Sequence, residues 1–104
     1  MGEIKIYKLE DEIKEEAKLF KIFAHPGRLR ILEILLTEGE ITRSKISEET
    51  KLYKSGAQEQ IKILKDAGII ERDLKGYRHI YKIEIKRLEE IKKSINNALT
   101  RSKI

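Results

Sequence analysis

The chain of 104 residues has no cysteine, a single proline, two histidines and six scattered glycines. Each shortage closes off a class of chemistry. Without cysteine there is no disulfide framework, no thiolate zinc site and no thiol redox switch. His25 and His79 lie in separate segments with no carboxylate at ligand spacing, and a zinc site needs several such ligands, so no metal is expected. The glycines build no phosphate-cradling loop, and no Ser, His and Asp constellation is visible, so neither catalysis nor a cofactor is expected. No apolar run approaches the ~18 residues that a membrane span needs. The opening MGEIKIYKLEDE is mixed and acidic, unlike a secretory leader, which makes the cytoplasm the expected location.

Charge is abundant. Lys and Arg number 23 against 18 Asp and Glu, for a net charge of +5. The sign suggests an anionic partner, and the distribution says more than the total. Residues 1–24 carry five basic and six acidic side chains, whereas residues 42–83 carry ten basic and six acidic. Residues 86–103 add six basic and two acidic. The length is that of one domain, expected to span 1–104.

The most informative stretch is KLYKSGAQEQIKILKDAG, residues 51–68. Ala57, Ile61 and Leu64 recur at i, i+4 and i+7, which makes one narrow apolar stripe on an α-helix. At 100° per residue, Ser55, Gln58, Glu59 and Lys62 fall on the opposite side. Gly68 is placed to close this helix in the left-handed conformation, with Ile69 packing back on the last turn. Alone, the pattern also describes an ordinary surface helix.

Its neighbours narrow the choice. Residues 3–9 alternate at Ile4 and Ile6, as an extended arm or as the lead of a first helix. A helix is expected over 10–24, with Ile13, Ala17, Phe20 and Ala24 on one stripe and Leu19, Ile22 and Phe23 on its flank. A stripe that wide exceeds what one core contact needs. Pro26 suits the first turn of a second helix, carried by Leu29, Leu32, Leu35 and Leu36 and ended by Thr37, Glu38 and Gly39. Thr42 is expected to cap a short helix over 43–49, anchored by Ile46, by accepting from a backbone N–H near Lys45. Residues 50–53 form the turn, with Leu52 plugging the core. After Gly68 the period turns extended: strands over 69–74 and 77–85, joined at Lys75-Gly76, with Tyr81, Ile83 and Ile85 on one face. A last helix over 86–103 repeats Leu88, Ile91, Ile95 and Ala98/Leu99, a seam suited to pairing with a packed neighbour.

Three blocks carry a resemblance to a known family: LFKIFAHPGRLRILEILL from Leu19, LYKSGAQEQIKILKDAGII from Leu52, and GYRHIYKI from Gly76. In this order and spacing they resemble the ArsR/SmtB-like winged helix-turn-helix repressors over residues 17–84. The resemblance implies an α+β, mainly α fold: a winged helix-turn-helix with N- and C-terminal dimerisation helices. It also implies binding to double-stranded DNA as a homodimer. The departures are informative. His25 stands where the family usually has aspartate before the proline, and Tyr53 where a small hydroxyl residue opens the recognition helix. The third helix reads RSKISEE and the last has no histidine, so metal sensing does not carry over.

The residues expected to act follow from these placements. Ser55, Gln58 and Glu59 would face base edges, since glutamine suits adenine and glutamate accepts from cytosine. Gly56 would let the backbone approach a phosphate. Arg43, Lys54 and Lys62 would contact phosphates, and Arg72, Lys75, Arg78 and His79 would place the wing near the adjacent backbone or minor groove. Surplus apolar surface assigns the dimer interface to Ile13, Leu19, Phe20, Phe23, Leu88, Ile91, Ile95 and Leu99. The expected function is sequence-specific transcriptional regulation, as a dimeric repressor. The alternatives are a winged-helix protein-docking module and an architectural DNA-binding protein without sequence preference.

Overall fold

A computed structural model of the chain describes residues 2–51 and 54–101, with side chains for 10–51 and 56–100. The first helix, α1 (Gly2–Phe23), is longer than the apolar pattern alone predicts. Its helical backbone takes in Ile4 and Ile6, so the alternation there is helical lead and not an extended arm.

Helix α2 (Pro26–Glu38) begins where proline is harmless, because a first-turn N–H has no intrahelical acceptor. His25 caps it after all: its Nδ1 accepts from the Gly27 N–H at 2.9 Å. The buried face is Ile31, Leu32, Ile34 and Leu35, while Leu29 and Leu36, expected on the apolar stripe, are exposed. Gly39, at φ +83°, stops the helix, and its N–H returns to the Leu35 carbonyl at 2.8 Å.

Strand β1 (Ile41–Thr42) leads directly into α3 (Arg43–Thr50). The Thr42 hydroxyl accepts from the Lys45 N–H at 3.3 Å, as the sequence predicts. Ile46 is fully buried. Lys51, at φ +57°, turns the chain out of α3. Leu52 and Tyr53, and with them the expected core plug, lie outside the described residues.

Helix α4 (Lys54–Asp66) buries Ala57, Ile61 and Leu64, the predicted stripe. It ends in a Schellman motif. The Gly68 N–H bonds to the Lys65 carbonyl at 2.9 Å and the Ile69 N–H to the Leu64 carbonyl at 3.0 Å, with Gly68 at φ +76° and Ile69 fully buried.

Strands β2 (Ile70–Lys75) and β3 (Arg78–Ile83) pair antiparallel from Ile70↔Ile83 to Lys75↔Arg78. The turn is therefore Gly76-Tyr77, one residue later than the sequence suggests. Gly76 has φ +66° and Tyr77 a negative φ, as a glycine-led two-residue hairpin loop requires. β1 joins the other side of β3 through Ile41↔Tyr81 and Thr42↔Ile80, so the sheet has three strands in the order β1-β3-β2.

Helix α5 (Ile85–Arg101) starts where β3 was expected to continue. Ile85 is its exposed first residue and does not share a strand face with Tyr81. The helix packs along α1. Ile91 is 1% exposed and belongs to the core built by α2, α3, α4 and the sheet. That corrects its expected place at a dimer contact: a side chain enclosed by its own chain has no surface to offer a partner. Leu19 and Phe23 also pack partly against this core. Of the side chains expected at the dimer contact, Ile13 is 51%, Ile95 38% and Leu99 61% exposed. Phe20 and Leu88 are half-buried.

Candidate nucleic-acid interface

The helix-turn-helix and the sheet together present one basic face. On α4, Gln58, Glu59 and Lys62 are exposed, opposite the buried Ala57, Ile61 and Leu64. Gly56 is half-buried in the first turn, with open space where a Cβ would stand. The backbone of Lys54 and Ser55 belongs to α4, and their side chains lie outside the described residues.

The cations on this face differ in their partners. Lys62 is bound to Asp66 at 2.7 Å, one helical turn away. That hydrogen bond and the attraction between the charges hold the Lys62 ammonium above its ordinary pKa, and the same hydrogen bond holds the Asp66 carboxyl below its own. Lys75 reaches Glu40 at 3.4 Å, tying the wing tip to the turn before β1. Among the described residues, no ion pair includes Arg43, Lys65, Arg72 or Arg78.

These unpaired cations gather around two hollows that share Arg43. One, of about 150 Å³, lies between α4 and the sheet and is lined by Arg43, Gln58, Lys62, Lys65, Arg72 and Tyr81, with Ile61 at its floor. The other, of about 410 Å³, lies between the start of α3 and the wing and is lined by Thr42, Arg43, Ser44, Tyr77, Arg78 and His79. His79 is held below the ordinary histidine pKa, first by burial and then by the charges of Arg43, Arg72 and Lys65.

The tertiary structure thus brings Arg43 and Arg72 to the side of α4 that carries Gln58, and it sets Arg78 and His79 around a hollow that shares Arg43. It adds Lys65, which the sequence reading missed. Its signal was available: Lys65 follows Gln58 by seven residues, about two helical turns, and so shares its face. Chemically, the face offers unpaired guanidinium and ammonium groups for phosphate oxygens beside an amide and a carboxylate able to read base edges.

Two arginines hold α4 in place from behind. Arg28 on α2 donates through Nε to the Ile22 carbonyl at 2.7 Å and through Nη2 to Lys21 at 3.3 Å, and its Nη1 reaches the Gln60 Oε1 at 3.0 Å. One side chain therefore closes the end of α1 and grips the inner side of α4. Arg87 on α5 donates to the Ala67 carbonyl at 3.2 Å, at the C-terminus of α4.

Comparison with known proteins agrees with this geometry. Residues 25–72 match the model of the family described as bacterial regulatory protein, arsR family. An uncharacterized HTH-type transcriptional regulator of Methanocaldococcus jannaschii is 33% identical over 83% of this chain and 97% of its own length. The chain belongs to the arsR family.

Further relatives fit the assignment. An uncharacterized HTH-type transcriptional regulator of Mycobacterium tuberculosis is 32% identical over 75% of this chain and 68% of its own length. The crystal structure of the M. tuberculosis protein Rv0081 superposes with a TM-score of 0.66 at 30% identity, over 93% of this chain and 91% of that one. The transcriptional repressor BigR from Xylella fastidiosa shares the fold, with a TM-score of 0.65 at 24% identity over 83% and 88% of the two chains. This arsR-family chain is therefore a transcriptional regulator with a DNA-binding helix-turn-helix, and its winged helix is the family's. Among its described residues no group of His, Cys, Asp and Glu is arranged to hold a metal ion, and no helix is long and apolar enough to cross a membrane.

Proposed function

We propose that this chain, as a single winged helix-turn-helix domain, is a homodimeric repressor that reads a specific duplex sequence. The observation that carries the reading is the outer face of α4. Gln58 and Glu59 stand exposed, and Gln58 lines the hollow formed with Arg43, Lys65 and Arg72. Phosphate contacts from the cations would set the register, and Gln58 and Glu59 would discriminate bases. Glu59 also places a negative charge toward a phosphate-lined groove, which penalises sites that give it no donor.

The dimer would form through Ile13 of α1 and Ile95 and Leu99 of α5, with Phe20 and Leu88 at the margin. Their exposure in a single chain supports this assignment. A two-fold axis through that surface would set two copies of α4 about 34 Å apart, one turn of DNA. Repression follows most simply from covering a promoter.

The test is selection of bound duplexes from a random-sequence pool at about physiological salt, where non-specific contacts are partly screened. An enriched palindrome with half-sites one turn apart is the expected result. Retention of DNA without enrichment would replace this reading by an architectural role, and recovery of no duplex would replace it by protein docking.

A further inference from the structure

No residue of α4 lines the hollow between α3 and the wing, and base reading does not explain it. Its walls are held rigidly. The pairing of Thr42 with Ile80 fixes β3 beside the start of α3, so Arg78 and His79 are carried to the same place as Arg43 and Ser44. The first turn of α3 contributes backbone N–H groups that lack intrahelical acceptors, and Thr42 satisfies only that of Lys45. No carboxylate lines the hollow, and neither Arg43 nor Arg78 is ion-paired among the described residues. The His79 Nδ1 is buried without a hydrogen-bond partner among the described residues. Several donors and an uncompensated positive field thus converge on an opening of about 410 Å³.

The chemistry that fits is an anion with several acceptor oxygens. Arg43 also lines the second hollow, with Lys65 and Arg72. A polyanionic strand lying against α4 would therefore pass over Arg43 from one hollow to the other. We propose that the α3–wing hollow seats one backbone phosphate of the bound duplex, held by Arg43, Arg78 and the first-turn N–H groups of α3. The assignment rests on the DNA-binding reading and adds to it a place where the wing root and the helix-turn-helix grip one strand together.

A consequence separates this seat from a merely structural cluster. His79 faces Arg43 from α3, Lys65 from α4 and Arg72 from β2, with Arg78 in the same hollow and the apolar Leu74 opposite it on β2. Burial first, and then Arg43, Arg72 and Lys65, keep the free imidazole neutral to lower pH than usual. A phosphate in the seat offsets them, so the ring accepts a proton more readily when DNA is bound. Binding then takes up a proton. Affinity rises as pH falls through the interval between the His79 pKa of the complex and the depressed one of the free protein.

The experiment follows the two histidine ring resonances of the full chain through a pH titration. It is run free, with a random-sequence duplex, and with inorganic phosphate at matched ionic strength. His79→Gln assigns the signals. The expected result is an upward shift of the His79 midpoint by about one pH unit with duplex and little with inorganic phosphate. In parallel, Arg78→Ala is expected to flatten the salt dependence of duplex binding by about 0.9 in log–log slope, the value of one phosphate. His79→Gln is expected to remove the pH dependence of binding. Duplex binding with a stationary His79 midpoint and an unchanged slope overturns the seat and leaves DNA binding intact. A midpoint moved by inorganic phosphate but not by duplex overturns it in favour of a small-anion site. Failure of the duplex to bind at all overturns both readings.

Discussion

Replacing Ile91 by alanine tests whether α5 belongs to the folding core or serves only a partner. Ile91 is 1% exposed and packs within the core cluster. The substitution removes the side chain beyond Cβ, at roughly 0.8 kcal/mol per buried carbon, or about 2.4 kcal/mol in all. Unfilled space adds about 24 cal/mol per Å³, which brings the expected loss to about 3 kcal/mol. Against a typical domain stability of about 5–15 kcal/mol that is a large fraction. Leu99→Ala is the matched control on the same helix, because Leu99 is 61% exposed. Within a single chain it should cost less than about 0.5 kcal/mol. Both variants are to be unfolded in urea at several protein concentrations. Ile91→Ala is expected to lower the midpoint by a similar amount at every concentration. Leu99→Ala is expected to act chiefly by weakening whatever concentration dependence the parent shows, since stability gained by association follows mass action. A cost below about 1 kcal/mol for Ile91→Ala, or equal costs for the two variants, would refute the placement of Ile91 in the core.

Lys62 and Lys65 of α4 should behave differently toward DNA. Lys65→Ala is expected to lower the salt slope of duplex binding by about 0.9, whereas Lys62→Ala should lower it less because Asp66 already holds Lys62 at 2.7 Å. Asp66→Ala should then raise affinity, and fluorescence anisotropy over a salt series measures all three. Thr42→Ala removes the cap of α3 and should cost about 1 kcal/mol in urea unfolding, with Thr42→Ser restoring most of it. No loss in Thr42→Ala would mean that water replaces the hydroxyl at the Lys45 N–H.

What could be read along the chain was local. The stripe Ala57, Ile61, Leu64 fixes the inner face of α4 because a helix returns to the same side every three to four residues. Gly68 and Ile69 closed that helix as their types predict, and Thr42 capped α3 at the expected N–H. The order of elements and the family blocks followed from the same short-range signals. The strand–helix boundary at Ile85 did not, since a β-branched residue beside Tyr81 and Ile83 reads equally well as the end of a strand. The hairpin turn shifted by one residue because only backbone pairing sets the register.

What required the tertiary structure depends on distance in space. Periodicity marks Ile91, Ile95 and Leu99 as one seam, but only packing decides that Ile91 enters the chain's own core while Leu99 stays outside. Sequence lists Lys62, Lys65, Lys75, Arg43 and Arg78 as equivalent cations. Folding pairs Lys62 with Asp66 and Lys75 with Glu40, and it leaves Lys65, Arg43 and Arg78 without carboxylates among the described residues. β1 joins β3 across some forty residues of chain, and that pairing carries His79 to the start of α3. Local preference acts through neighbours a few bonds apart. Burial and electrostatic pairing depend on which distant segments arrive together, and that is what the sequence alone left undetermined.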